Sequence, residues 1–395
     1  MSPVLVLIFG LSIGVLMLIT AFQKSVNNVV AEKKESHKIY YGLWFFGLVY
    51  AFFHSLKYFK RWPLNFKDAA FSDVVPQIGI LVQRFLNGEF PYQVIDNWGY
   101  NLFPTYQPMQ WMPYILAELG GFDYRWIPFS ALTFAFFVFH KILLNSGVRR
   151  TYKWIFSILP WVLLILFING SKQQYAQSGE SLIAAYYLLF AMAIYSSNHY
   201  FKSGTTLLCL LSRYSLVLWL PLFALNYLFK SKAKALKYIG LIIAGVIVIY
   251  VIPFLTQDPL LFLKGYEYHS RVAGVHWSNI IANQPNLLFE GIGMTSFFYS
   301  FIEGDSLYKL NMLKVIHLTL SLLSVIGLSV LYYLKRSKIL KTNIFLLGSF
   351  KIYLTFFYCF IQLPFSYLFL VPLVISLFGC FKVVAQNQTT DELLT

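Results

Sequence analysis

A carboxylate just beyond a membrane span can take a proton from a hydroxyl and make it nucleophilic. Asp73, in the run FSDVV, is the acid of this chain best placed for that task. The same position also suits a solvated loop acid, or an N-cap for a helix beginning at Val74. A second set is cationic: Arg213 in LSRYSLVLWLP, Arg271 in YEYHSRVAGVHW between His269 and His276, and Lys351 in GSFKIYLTFF. An arginine can hold a phosphate through two parallel hydrogen bonds, and cations beside a departing phosphate stabilise its developing charge. Plainer roles stand beside these. A loop histidine can be a packing or surface residue, and Lys351 can snorkel its ammonium to a membrane face. Arg213 is the hardest to dismiss, because a charge inside an apolar run is costly and normally faces protein or a wet cavity. Trp98, Tyr100, Tyr106, Trp111 and Trp277 offer rings on which a sugar could stack, or simply interfacial anchors. The sequence has no P-loop, HExxH, GxSxG or metal-ligand spacing, which argues against a nucleotide-driven pump and a zinc protease.

The elements that must position these groups are membrane spans. The mean hydropathy is +0.62, with 58% hydrophobic and only 12% charged residues, which excludes an ordinary soluble domain. The net charge of +15 comes from lysines and arginines clustered in short loops, the positive-inside pattern rather than a nucleic-acid patch. Cys209, Cys359 and Cys380 all lie in apolar runs and read as buried thiols. The N-terminal apolar run lacks a basic region before it and reads as a retained helix.

Apolar runs near the bilayer length predict an all-α polytopic membrane protein of about nine spans in a single integral domain. Residues 3–22 form an extra N-terminal span, followed by a lysine-rich cytoplasmic loop to residue 38 that places the N-terminus outside. Span two (39–56) delivers the first outer loop, residues 57–123. Within it the stretch 71–113 carries Asp73, Arg84, Glu89 and Asp96 among aromatics and prolines. Its prolines rule out one unbroken helix and leave an amphipathic helix near 74–87, an ordered loop and a helix entering at Met109. Spans follow at 124–144, 154–168 and 181–197. Residues 204–229 are long enough to cross but have lysines at both ends, so they read as two half-helices dipping into the membrane with Arg213 inside; the rival is one tilted helix. A span at 238–255 leads to the second outer loop, 256–309. Spans at 310–334, 344–361 and 365–381 then end in a cytoplasmic tail, 382–395. Every acid but Glu32, Glu35, Asp391 and Glu392 falls on the predicted outer side.

This arrangement resembles the GT-C glycosyltransferases, in particular the polyprenyl-phosphate-sugar-dependent, mannosyltransferase-like group of glycosyltransferase family 87. The likeness covers about residues 39–230: Asp73 after a span, NGEFPYQ with Gly88, Pro91 and Tyr92, FPTYQPMQWMP, the turn GSKQQYAQSGESL, and LSRYSLVLWLP with Arg213. Val75 stands where the family often has an aromatic, and Arg213 where it often has lysine. The resemblance implies inverting transfer of a mannose-like hexose or a pentose from a polyprenyl-phosphate donor to a lipid-linked or envelope glycan, on the outer face of a bacterial inner membrane. Asp73 would be the general base. Arg213, Arg271 and Lys351 would hold the donor phosphate, and Asp96, Tyr100, Tyr106, Gln107, Trp111, Glu180, His269 and His276 would contact substrate. No cofactor is implied, and a divalent metal would need Asp68 or Asp96 to fold toward Asp73. Three other classes compete: an envelope-polysaccharide polymerase or ligase relying on Arg271 and His269, a transporter or flippase for a lipid-linked substrate, and a structural membrane subunit.

Overall fold

The computed structural model describes residues 2–24, 37–66, 72–96, 98–170, 172–278 and 286–388. Among these there is no strand, only an isolated bridge between Ile95 and Leu102. Helix α1 (Pro3–Phe22) is followed by α2 (Lys38–Arg61) and the amphipathic α3 (Val74–Leu86). Prolines then break the chain into α4 (Pro108–Trp111), a tight turn and α5 (Ile115–Gly120). Next come α6 (Trp126–Leu144), α7 (Arg150–Gly170), the short α8 (Lys172–Gln177) and α9 (Glu180–Ala193). The pair α10 (His199–Leu210) and α11 (Leu220–Lys230) leads to α12 (Lys232–Val246), which continues as a π-helix over Ile247–Leu255. The second long loop is itself helical, with α13 (Leu261–Ser278), α14 (Asn286–Glu290) and α15 (Thr295–Phe301). Last are α16 (Ser306–Lys335), α17 (Thr342–Cys359) and α18 (Leu370–Gln388).

Seven of the described helical segments are long and apolar enough to cross a membrane: α1, α2, α6, α7, Lys232–Leu255, Ser306–Lys338 and Ser366–Gln386. Two further expected spans lie at the centre instead. Helix α9 has 14 residues, all of them buried. At about 1.5 Å per residue it is shorter than the hydrocarbon core. Helix α17 buries Ser349, Lys351 and Thr355 along with its apolar residues. Helices α6, α10 and α18 pack around α9, while α1, α16 and α18 pack around α17.

Residues 204–229 do not form one helix. His199 and Lys202, opening α10, lie beside Tyr227, near the end of α11, with ring centroids 6.3 Å apart and the Lys202 ammonium 5.0 Å from the ring. The two half-helices are therefore antiparallel, and the break between them, at Ser212–Trp219, sits at the opposite end of the bundle. Breaking a helix frees backbone groups that must find partners. Here the first extended loop supplies one: the Met109 N–H donates to the Leu211 carbonyl at 2.8 Å.

The same end is fastened by Arg125, which sequence reasoning passed over. It pairs with Asp123 and donates to the carbonyls of Phe59, Trp62 and Ala176, so it ties the end of α2 and the end of α8 to the start of α6. A cation at a helix C-terminus also suits the helix dipole.

The N-terminal helix is not an appendage. Gly10 and Gly14, one turn apart, press against Thr355, Ile352 and the Gly348 carbonyl of α17. Without hydrophobic driving force inside lipid, such small-residue seams let helices approach and gain dispersion contact. A Cβ at Gly14 would lie 2.4 Å from Ile352 Cγ1. Gly14→Leu is therefore expected to lower the thermal midpoint of the detergent-purified protein, by an overpacking cost of about 1–3 kcal/mol. Gly42→Leu, with open space around it, serves as the control that leaves the midpoint in place.

Candidate functional site

Asp73 stands immediately before α3, but its carboxylate does not cap that helix. Ser72 Oγ accepts from the Val74 N–H and donates to the Gln177 carbonyl, fixing the start of α3 against the turn that begins α9. The Asp73 carboxylate is left for other work. It accepts a hydrogen bond from the Tyr100 hydroxyl at 3.2 Å and interacts electrostatically with His276. Burial pushes its pKa above the ordinary aspartate value, and these two partners pull against that rise.

Arg213 occupies the break between α10 and α11 and forms an ion pair with Glu180, the first residue of α9. Glu180 is 2% exposed, whereas Arg213 keeps accessible surface. One edge of the guanidinium is engaged by Glu180 Oε2; its Nε–H is buried and has no partner among the described residues. Tyr106, Tyr358 and Tyr367 surround this pair electrostatically, and Tyr106 and Tyr367 also sense Asp73. Asp73, Tyr106, Arg213 and Tyr367 are each ringed by protein yet only half-buried, which makes them the walls of a recess.

Helix α13 covers one side of that recess. Its Ala273 and Trp277 anchor it in a second apolar cluster with Leu310, Leu313 and Phe360, and the Trp277 indole donates to the Gln362 carbonyl. His276 faces Asp73, and enclosure lowers its pKa. His269 lies within range of Arg213 and Lys314; enclosure and both cations lower its pKa as well. Both imidazoles therefore favour the neutral form and can donate or accept a hydrogen bond. Tyr268 donates to the Asn101 carbonyl at 3.2 Å, which ties α13 to the segment carrying Tyr100.

Of the twelve residues to which the resemblance gives a role, the structure brings together Asp73, Tyr100, Tyr106, Glu180, Arg213, His269 and His276. Gln107 borders them, its amide donating to the Tyr214 hydroxyl beside the hairpin break. Four do not join. Lys351 is buried between α17 and α18, where Nζ donates to the Pro372 carbonyl at 3.1 Å, so it neither snorkels nor reaches the recess. Trp111 is fully buried on Tyr92, Phe85 and Phe254 and offers no stacking face. Asp96 is exposed and pairs electrostatically with Arg84, which also grips the Pro91, Gln93 and Val94 carbonyls. Arg271 points away, into a separate cleft. Asp68 lies outside the described residues. Among the described residues no group of three His, Cys, Asp or Glu could hold a metal ion. Tyr268, Tyr358 and Tyr367 were missed, because one tyrosine among 28 carries no signal in its spacing.

A carboxylate of raised basicity, neutral imidazoles and a guanidinium with a free edge can take a proton at one point and hold an anion at another. The Arg213–Glu180 pair also supports the fold, and Arg213→Met is expected to cost about 3 kcal/mol by stranding a buried carboxylate. The double variant Arg213→Met/Glu180→Gln should recover part of that loss, with thermal unfolding in detergent as the readout. Comparison with family models, with curated proteins and with solved structures finds no match to this chain.

Proposed function

We propose that the protein is a GT-C-like inverting glycosyltransferase acting at a membrane, which moves a sugar from a polyprenyl-phosphate donor to a lipid-linked or envelope glycan. The observation that carries this reading is Asp73, a carboxylate unused as a helix cap and raised in basicity, in one recess with the partly engaged Arg213. In this reaction the acceptor hydroxyl gives its proton to Asp73 as its oxygen bonds to the anomeric carbon. The bond from that carbon to the phosphate oxygen breaks, and the lipid phosphate leaves with the electron pair. One displacement inverts the anomeric centre. Arg213 holds the phosphate through its free edge, while Glu180 fixes the guanidinium. Tyr100 orients the base, and Tyr106, Tyr367, His269 and His276 offer donors and acceptors to the sugar. A lipid-phosphate leaving group carries its own activation, in keeping with a chain that has no nucleotide-binding motif. In this reading the chemistry falls on the outer face, the side to which the positive-inside pattern of the sequence assigns the loop carrying Asp73.

The test is transfer of radiolabel by the purified protein from polyprenyl-phosphate sugars to membrane extract. Asp73→Asn preserves shape and removes the base, so transfer should fall by about 10²–10⁴-fold while donor binding persists. Equal transfer in both proteins would remove Asp73 from the role. No transfer from any donor by the wild type would favour a transporter. The pH profile offers a separate check. A base works deprotonated, so activity should fall as pH drops through the raised Asp73 pKa. Tyr100→Phe deletes a hydrogen bond that favours the charged form, and it should shift that acidic limb to higher pH.

A further inference from the structure

On the side of α13 that faces away from Asp73, a cleft of about 1010 Å³ opens between this helix and α16. Its donors come from both walls. Ser270 and Arg271 project from α13, and Asn311 and Lys314, one turn apart, project from α16. The Lys314 ammonium already donates to Ser270 Oγ at 2.6 Å and keeps two further donors for a ligand. Arg271 lies over the Tyr268 ring, 5.4 Å from its centroid, and has no ion-pair partner among the described residues. The lining holds one carboxylate, Glu267, against these two cations, so the cleft is net positive. Gly274 adds room, since nothing lies within 4 Å of where its Cβ would be.

We propose that this cleft binds the phosphate of an anionic membrane lipid. A guanidinium with no ion-pair partner among the described residues, an ammonium, a hydroxyl and an amide converging from two walls suit a phosphate monoester or diester. The lipid source follows from the surroundings. One wall, α16, is a membrane-length helix, and the mouth carries exposed apolar side chains, Tyr266 at 56%, Val275 at 59% and Leu307 at 58%. These are suited to acyl chains and poorly suited to a soluble anion. The site is distinct from the recess and does not depend on the proposed transfer reaction. It does adjoin the recess mechanically: Arg271 rests on Tyr268, which holds the Asn101 carbonyl next to Tyr100.

Native mass spectrometry of the full-length protein in detergent, incubated with phosphatidylglycerol or phosphatidylcholine, tests the assignment. The wild type should retain phosphatidylglycerol about tenfold over phosphatidylcholine. Arg271→Gln and Lys314→Gln should each abolish the preference, and Lys314→Arg should keep it. Asn311→Asp leaves both cations in place but adds a like charge to the ligand, and it should also abolish the preference at an unchanged thermal midpoint. Equal retention of the two lipids by the wild type would overturn the proposal. So would an undiminished preference in Asn311→Asp, or displacement of phosphatidylglycerol by millimolar inorganic phosphate, which would mark a soluble-phosphate site.

Discussion

The ion pair between Arg213 and Glu180 is the constraint on which the rest of the site depends. A guanidinium at the break of a helical hairpin cannot be left without a counter-charge, and a 2%-exposed glutamate cannot be left without a cation. Satisfying both forces α9 to begin where α10 ends. The chain meets this demand with a short, wholly buried α9 whose first residue is the acid. The turn before α9 then becomes a fixed platform. Through Ser72 and the Gln177 carbonyl it seats the start of α3, and with it Asp73. Through the Leu211 carbonyl the hairpin break seats Met109 and the proline-rich stretch. Asp73, Arg213 and the aromatic wall are thus positioned from one electrostatic knot.

That knot also explains why an otherwise costly fold is tolerable. Non-helical backbone at depth needs partners for its freed groups, and water cannot supply them in an apolar interior. Leu211 finds Met109, the Arg213 N–H finds the Cys209 carbonyl, and the Trp219 indole finds Ser349. At the rim, Arg125 performs the same service for the carbonyls that end α2 and α8. Polar groups that look scattered along the sequence gather in three dimensions wherever a helix stops.

Much of this could be read from the chain, for definite reasons. Hydropathy registers individual helices well, so α1, α2, α6, α7 and α18 stand near their expected bounds. Lysines at both ends of residues 204–229 signalled a chain that turns back, and Arg213 marked where. The helix before the proline-rich stretch was legible from its amphipathic period. Burial was not. Helix α9 is apolar but short, and α17 is long but carries Ser349, Lys351 and Thr355; both are enclosed by other helices, and one-dimensional hydropathy does not separate lipid from protein as surroundings. Lys351 was misjudged for that reason, since its partner is a carbonyl on α18 that no spacing reveals. Arg271 was assigned to the wrong space because which face of α13 meets Asp73 depends on where Ala273 and Trp277 dock. Trp111 sits in a loop by sequence and in the core by structure, held by Tyr92 and Phe254.

The two carboxylates of the recess show how environment divides roles between like groups. Burial raises the pKa of Glu180 as it does that of Asp73, but at Glu180 a guanidinium at contact distance opposes the rise and commits the carboxylate to holding Arg213. Asp73 faces a phenol and an imidazole that burial keeps toward neutrality, so nothing at full charge offsets its own desolvation. What separates Asp73 from Glu180 is thus the absence of an ion-pair partner rather than the direction of the shift. A carboxylate poised in this way exchanges a proton with a bound hydroxyl more readily than a salt-bridged one, and it can do so without weakening the fold, because no helix cap or ion pair relies on it. The group free to react is the one the architecture does not need.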